Sequence, residues 1–221
     1  MKIVCLALLT LMFSFQVKAQ SNIDPYPGLY QTAQYCAQLQ DEEESVRCMQ
    51  GNAAANWSSL PALRICDQLS FDSEKASCVL SQLNQVIEEA EARVCDSQSF
   101  PEDKWNCLKQ VQRPYRWRTF FKVNPDPGKN AVARMCEQFF FDEDKNTCVN
   151  LMSRTELFVV DAVQSCSRFF SDADKLQCLE AIGNKFYFPF ESDRCESLFS
   201  DHDKLTCFSG FKRRYRLVYR P

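Results

Sequence analysis

The chain predicts an all-α fold of disulfide-stapled antiparallel helical hairpins arranged as a repeat array, in two duplicated three-repeat halves. Three observations predict it. Twelve of the 13 cysteines fall in pairs twelve positions apart. The pairs are Cys36 and Cys48, Cys66 and Cys78, Cys95 and Cys107, Cys136 and Cys148, Cys166 and Cys178, and Cys195 and Cys207. The second three pairs repeat the first three at a constant offset of 100 residues. Between the pairs, apolar residues recur at helical steps, as in Val79, Leu80, Leu83, Val86, Ile87, Ala90 and Val94.

The spacing dictates a chain reversal. Cysteines twelve apart on one straight helix would lie ~18 Å from each other. A disulfide needs Cα atoms within ~7 Å. If each pair bonds internally, the chain must turn back between its members. The acidic residue at the sixth position after the first cysteine lies midway. Two antiparallel helices joined there bring the cysteines opposite one another. Aligned on the first cysteine, the copies read CDQLSFDSEKASC, CDSQSFPEDKWNC, CEQFFFDEDKNTC, CSRFFSDADKLQC and CESLFSDHDKLTC, with CAQLQDEEESVRC degenerate. Ser171-x-x-Asp174 and Ser200-x-x-Asp203 read as capping boxes that start the second helix. Asp72 and Asp142 are the expected N-caps where Phe precedes them. The Phe clusters 139–141 and 169–170 are expected to cover the disulfide and fill the turn. The run Phe186-Tyr187-Phe188-Pro189-Phe190 is expected mainly in the core.

Two arrangements fit this pattern. No Gly or Pro interrupts Asp72–Ser99 or Asp142–Ser171, so each could be one helix of ~27 residues, ~40 Å long. The mean repeat of ~30 residues equally suits a solenoid of short αα-hairpins.

Before the repeats, Met1-Lys2, an apolar run from Ile3 to Val17 and Ala19 ahead of Gln20 read as a signal peptide, residues 1–19. Residues 20–35 form an N-terminal segment. The first half spans 36–121, a linker 122–135 holds Asn124-Pro-Asp-Pro-Gly-Lys-Asn130, and the second half spans 136–221. The duplication extends past cysteine: Gln38 matches Gln138, Asp72 Asp172, Lys75 Lys175, Asn84 Asn184, Asp103 Asp203 and Lys104 Lys204. Cleavage after Ala19 removes Cys5, Lys2 and Lys18. Twelve cysteines remain, and 24 basic side chains face 29 acidic ones, a net charge of −5. An even cysteine count behind a signal peptide reads as a disulfide framework in a secreted or periplasmic protein. The acidic balance argues against nucleic acid as partner.

Metal and enzyme signatures are weak. Zinc favours Cys-x2–4-Cys and histidine, whereas the spacing here is Cys-x11-Cys and His202 is the lone histidine. The Asp-x-Asp pairs lack the glycine and the twelfth-position Glu of a calcium loop. No Gly-x-Ser-x-Gly, His-Glu-x-x-His or phosphate-cradling loop occurs. No catalytic residue, metal ligand or cofactor is expected. The candidate partner-binding residues are Arg113, Tyr115 and Arg116 at the end of the first half and Arg213, Tyr215 and Arg216 at the end of the second. There, basic and aromatic side chains interleave. The expectation is an exported, non-enzymatic interaction or structural protein with a protein or surface partner. The alternatives are a small hydrolase of cell-wall or glycan material using acidic residues, or an effector that touches membrane surfaces.

Overall fold

The computed structural model describes residues 28–115 and 126–211. The signal peptide, Arg116, Arg213, Tyr215 and Arg216 lie outside the described residues.

Six hairpins of short helices follow one another. They pair α1 (Leu29–Cys36) with α2 (Glu42–Ala53), α3 (Leu60–Cys66) with α4 (Asp72–Gln82), and α5 (Glu89–Asp96) with α6 (Pro101–Val111). The second half pairs α7 (Pro127–Cys136) with α8 (Asp142–Arg154), α9 (Val160–Ser167) with α10 (Asp172–Ile182), and α11 (Pro189–Glu196) with α12 (Asp201–Gly210).

Every hairpin is closed by its own disulfide. In the first half Cys36 bonds to Cys48, Cys66 bonds to Cys78, and Cys95 bonds to Cys107. In the second half Cys136 bonds to Cys148, Cys166 bonds to Cys178, and Cys195 bonds to Cys207. Cα atoms lie 5.4–5.9 Å apart across the six bonds, within the reach that the chain reversal was expected to supply. The second cysteine of each pair sits one and a half turns into the second helix. That places Cys48, Cys78, Cys107, Cys148 and Cys178 inside the array, each fully buried, while Cys207 at the last repeat is half-buried. First helices stack on first helices from α1 through α11, and α8, α10 and α12 stack likewise. The array is the solenoid of short hairpins.

The long helices do not form: the first ends at Gln82, just before Asn84, and the second ends at Arg154, where the connection that follows is held by Asn184 of the next repeat. Asn84 and Asn184 adopt left-handed backbone, φ 58° and 57°, a conformation asparagine tolerates better than most residues. Each reaches back one repeat to hold the preceding connection. The Asn84 Oδ1 accepts from Asn56 N, while Asn84 N donates to Trp57 O. The Asn184 Oδ1 accepts from Glu156 N and Leu157 N, while Asn184 N donates to Leu157 O. A second duplicated contact lies beside them. A Cβ on Gly28 would sit 2.3 Å from Ser58 O, and one on Gly128 would sit 2.0 Å from Phe158 O. Only glycine allows these backbones to approach so closely.

Caps differ from expectation in one respect. Ser171 and Ser200 accept from Asp174 N and Asp203 N as expected. Asp72 and Asp142, however, are the first helical residues, and the N-cap positions belong to Phe71 and Phe141. Their carboxylates point to the preceding turn. Asp72 accepts from Gln40 N and Asp41 N, and Asp142 from Ser99 N. Asp172 and Asp201 do the same with Phe140 N and Phe170 N. This is one rung per repeat junction, broken only where Pro101 occupies the sixth position. There, Lys104 Nζ instead joins Gln68 Oε1 and Asp96 Oδ1.

The halves are continuous. The stretch expected as linker supplies the start of the fourth repeat: Asp126 accepts from Gly128 N, and Pro127 occupies the first turn of α7. Proline suits that position because its missing N–H would have had no partner. One buried apolar cluster runs from Ala62 and Ile65 through Val94, Val132, Val149 and Val163 to Phe208. A smaller one, around Cys36, Leu69 and Val79, closes the first end.

Each staple closes a short loop, worth ~3 kcal/mol in the chain-entropy account, against a typical total stability of ~5–15 kcal/mol. Reduction with dithiothreitol is therefore expected to abolish the helical circular-dichroism melt. An unchanged melting curve would contradict it. Substituting Asn184→Ala strains the backbone and strands two N–H groups, an expected loss of about 1–3 kcal/mol in urea unfolding of the oxidised protein. Asn184→Gly removes the strain alone and recovers only part of the loss.

Candidate interaction surface

The turn inside each hairpin places three successive residues differently. The third residue after the first cysteine faces inward: Leu69, Gln98, Phe139 and Phe169 are all buried. The fourth and fifth face out. Phe140, Phe170 and Phe199 at the fourth position are 83 %, 96 % and 102 % exposed, and Phe71, Phe100 and Phe141 at the fifth are exposed as well. The expectation that these clusters fill the turn therefore holds for Phe139 and Phe169 and fails for their neighbours. The reason is the tight turn: once the residue beside the disulfide points in, the next two project past the end of the second helix. The aspartate rungs tie neighbouring turns together, so the exposed rings form a ladder along one edge of the array.

Charge on this edge is sorted. Repeat lysines fold inward. Lys145, Lys175 and Lys204 pair with Asp142, Asp172 and Asp201 of their own first turns, at 3.1, 3.0 and 3.5 Å. Lys145 Nζ also donates to Ser97 O of the preceding repeat. Lys175 and Lys204 lie over the buried Phe139 and Phe169 rings, 5.7 and 5.9 Å from the centroids. Burial pushes the Asp142 and Asp172 carboxyls upward. The Ser99 and Phe140 N–H groups and the paired lysines outweigh it and hold both below the ordinary carboxylate value. Asp144 goes the other way: burial, then the charges of Asp172 and Glu143, raise it. Among the described residues no ion pair involves Glu74, Glu102, Asp103, Glu143, Asp144, Asp174 or Asp203. His202 is exposed on the same edge.

The structure gives internal partners to Arg113 and Tyr115. Arg113 donates to both oxygens of Glu91, which is fully buried, to Glu88, and to Ser153 O of the fourth repeat. Lys129 completes the group at 3.2 Å from Glu88. Burial pushes the Glu91 carboxyl above its ordinary value, although Arg113 opposes that shift. Arg113 and Pro114 form β2, which pairs antiparallel with β1 (Gln85–Val86), and Tyr115 N donates to Asn84 O. The Tyr115 ring stacks on Trp57, centroids 4.9 Å apart and 4° from parallel. This segment thus joins repeats three and four and braces two connections.

Two further features complete the surface. Phe186 meets Phe188 edge to face and Phe188 stacks on Phe190 at the last connection, while the intervening Tyr187 is buried and donates to Phe208 O. The expectation of a core position for this run therefore holds for Tyr187 and fails for the three exposed rings around it. A shallow cleft of about 390 Å³ lies between Tyr35, Leu60, Leu63, Arg64, Asp67 and Glu89. Among the described residues no group of three His, Cys, Asp or Glu side chains is placed to hold a metal ion, and no helix is long and apolar enough to cross a membrane. No family model matches the chain, and no curated protein and no solved structure matches it either.

Arg113→Met leaves Glu91 buried without its cation, and with one half-exposed partner the cost is expected near ~3 kcal/mol at neutral pH. Glu91 has its folded value above its unfolded one, so its ionisation weakens the fold as pH rises through that window. Losing Arg113 widens the window. The stability gap between variant and wild type should therefore narrow as pH falls toward the ordinary glutamate value. A gap independent of pH would contradict it.

Proposed function

We propose that this is an exported, non-enzymatic interaction protein that presents the turn edge of a stapled helical array to a partner. The observation that carries this reading is the ladder of exposed phenylalanines at two adjacent repeat positions, held on a scaffold whose every turn is covalently closed. Exposed apolar side chains gathered in one patch are a feature of contact surfaces. Six disulfides indicate an oxidising compartment, in keeping with the signal peptide read from residues 1–19. The sixth-position carboxylates tie repeats together and Glu91 balances Arg113, so neither set is free to serve a hydrolase. Arg113 and Tyr115 are occupied within the fold, which moves the expected contact from the basic aromatic termini to the phenylalanine edge.

The test is co-purification from the native extracellular or periplasmic fraction with wild-type protein and with a triple variant, Phe140→Ser, Phe170→Ser and Phe199→Ser. These side chains are exposed, so the variant is expected to melt as the wild type does. A partner retained by the wild type and lost by the variant supports the reading. Equal recovery by both, or turnover of glycan by the purified protein, overturns it.

A further inference from the structure

Resting on that interaction role, we infer that the partner docks a cationic, apolar polypeptide segment along the phenylalanine ladder. The ladder has two chemistries side by side. Phe71, Phe100, Phe140, Phe141, Phe170 and Phe199 offer apolar faces that are between 63 % and 102 % exposed. Next to them, Glu74, Glu102, Asp103, Glu143 and Asp144 stand in the first turns of the second helices without an ion-pair partner among the described residues. The lysines of the same first turns are turned inward, while Arg134 and Arg194 at the ends of the first helices α7 and α11 stay exposed. The repeat lysines from Lys75 to Lys204 are at most 23 % exposed and are paired with other carboxylates. Arg168, two residues before Phe170, is taken up by Glu196.

That sorting favours one kind of occupant. Glu143, Asp144 and Asp172 repel one another across the junction of repeats four and five, and this repulsion contributes to the raised Asp144 carboxyl. A lysine or arginine arriving there relieves it. An anionic lipid surface meets the same carboxylates unfavourably, so rings at the tips of turns do not by themselves favour a membrane. The repeat also sets a length. Helices of stacked hairpins lie ~8–10 Å apart, so the ladder from Phe71 to Phe199 extends ~35 Å. An extended segment of ~11 residues spans that distance. Phenylalanine rings at regular intervals suit apolar side chains of the segment, with basic residues between them reaching the carboxylates.

Fluorescence anisotropy tests this on the full-length oxidised protein. The probe is a labelled peptide of ~11 residues in which Lys or Arg alternates with Leu or Phe. Controls are a peptide with Glu replacing the basic residues, a Lys/Ser peptide without apolar residues, and vesicles of phosphatidylcholine with and without phosphatidylglycerol. The cationic apolar peptide is expected to bind, and to weaken as salt rises. The triple Phe→Ser variant is expected to bind it at least about tenfold more weakly. Glu102→Gln, Glu143→Gln and Asp144→Asn together are expected to cost about fivefold and to flatten the salt dependence. Equal binding of the Glu peptide, vesicle binding in place of peptide binding, ladder-dependent self-association of the protein, or no binding at all would overturn the assignment. A native partner captured through the phenylalanines yet indifferent to salt and to the acid substitutions would overturn the cationic chemistry alone and leave the interaction role standing.

Discussion

The structure depends on one covalent constraint, a disulfide closed over eleven intervening residues. Such a loop is too short for two helices joined by a free loop and too long for one helix. It admits a turn at its middle and little else. That turn decides the rest. It fixes which residue falls beside the disulfide and is buried, and it forces the following pair outward. It also sets the second helix at a height where its first carboxylate meets the neighbouring turn. With helices of only 7–13 residues, propensity alone would not hold the array. The staples remove the disorder that short helices would otherwise have to overcome.

Interactions between repeats then use few residue types. Aspartate at the sixth position binds a backbone N–H of the previous turn, and in the last three repeats the lysine three residues on binds that aspartate. Asparagine in left-handed conformation binds the previous connection, and glycine lets two backbones touch. Each contact links nearest neighbours, as expected of a quasi-one-dimensional protein. The junction of the halves is the exception in chemistry but not in continuity. There the Arg113, Glu91, Glu88 and Lys129 group is added, bridging the third and fourth repeats around a fully buried carboxylate.

Much of this was legible in the sequence, and the exceptions have physical causes. Cysteine spacing and disulfide reach gave the hairpins, and the 100-residue offset gave the halves. Helix ends after Gln82 and Arg154 were not legible, because neither Pro nor Gly marks them. The Asn84/Asn184 match was visible, but its left-handed backbone was not. The same holds for Asp72 and Asp142: an aspartate before a helix reads as a cap, and only the stacked neighbour shows that it serves the adjacent repeat. The candidate surface was the least legible part. A Phe-Phe or Phe-Phe-Phe run has no period within it, and burial divides it one residue at a time. Arg113 and Tyr115 stood out as basic and aromatic, which is equally the composition of a segment that crosses a buried glutamate and a tryptophan.

Every staple lies within a repeat, and the turn edge follows from that. Proteolysis of the non-reduced protein, with mass-spectrometric identification of the linked peptides, tests the pairing. It should return six bonds, each joining the cysteines of one Cys-x11-Cys unit. Bonds that join successive repeats, such as Cys48 to Cys66 or Cys78 to Cys95, would contradict the hairpin, the turn and the phenylalanine edge together.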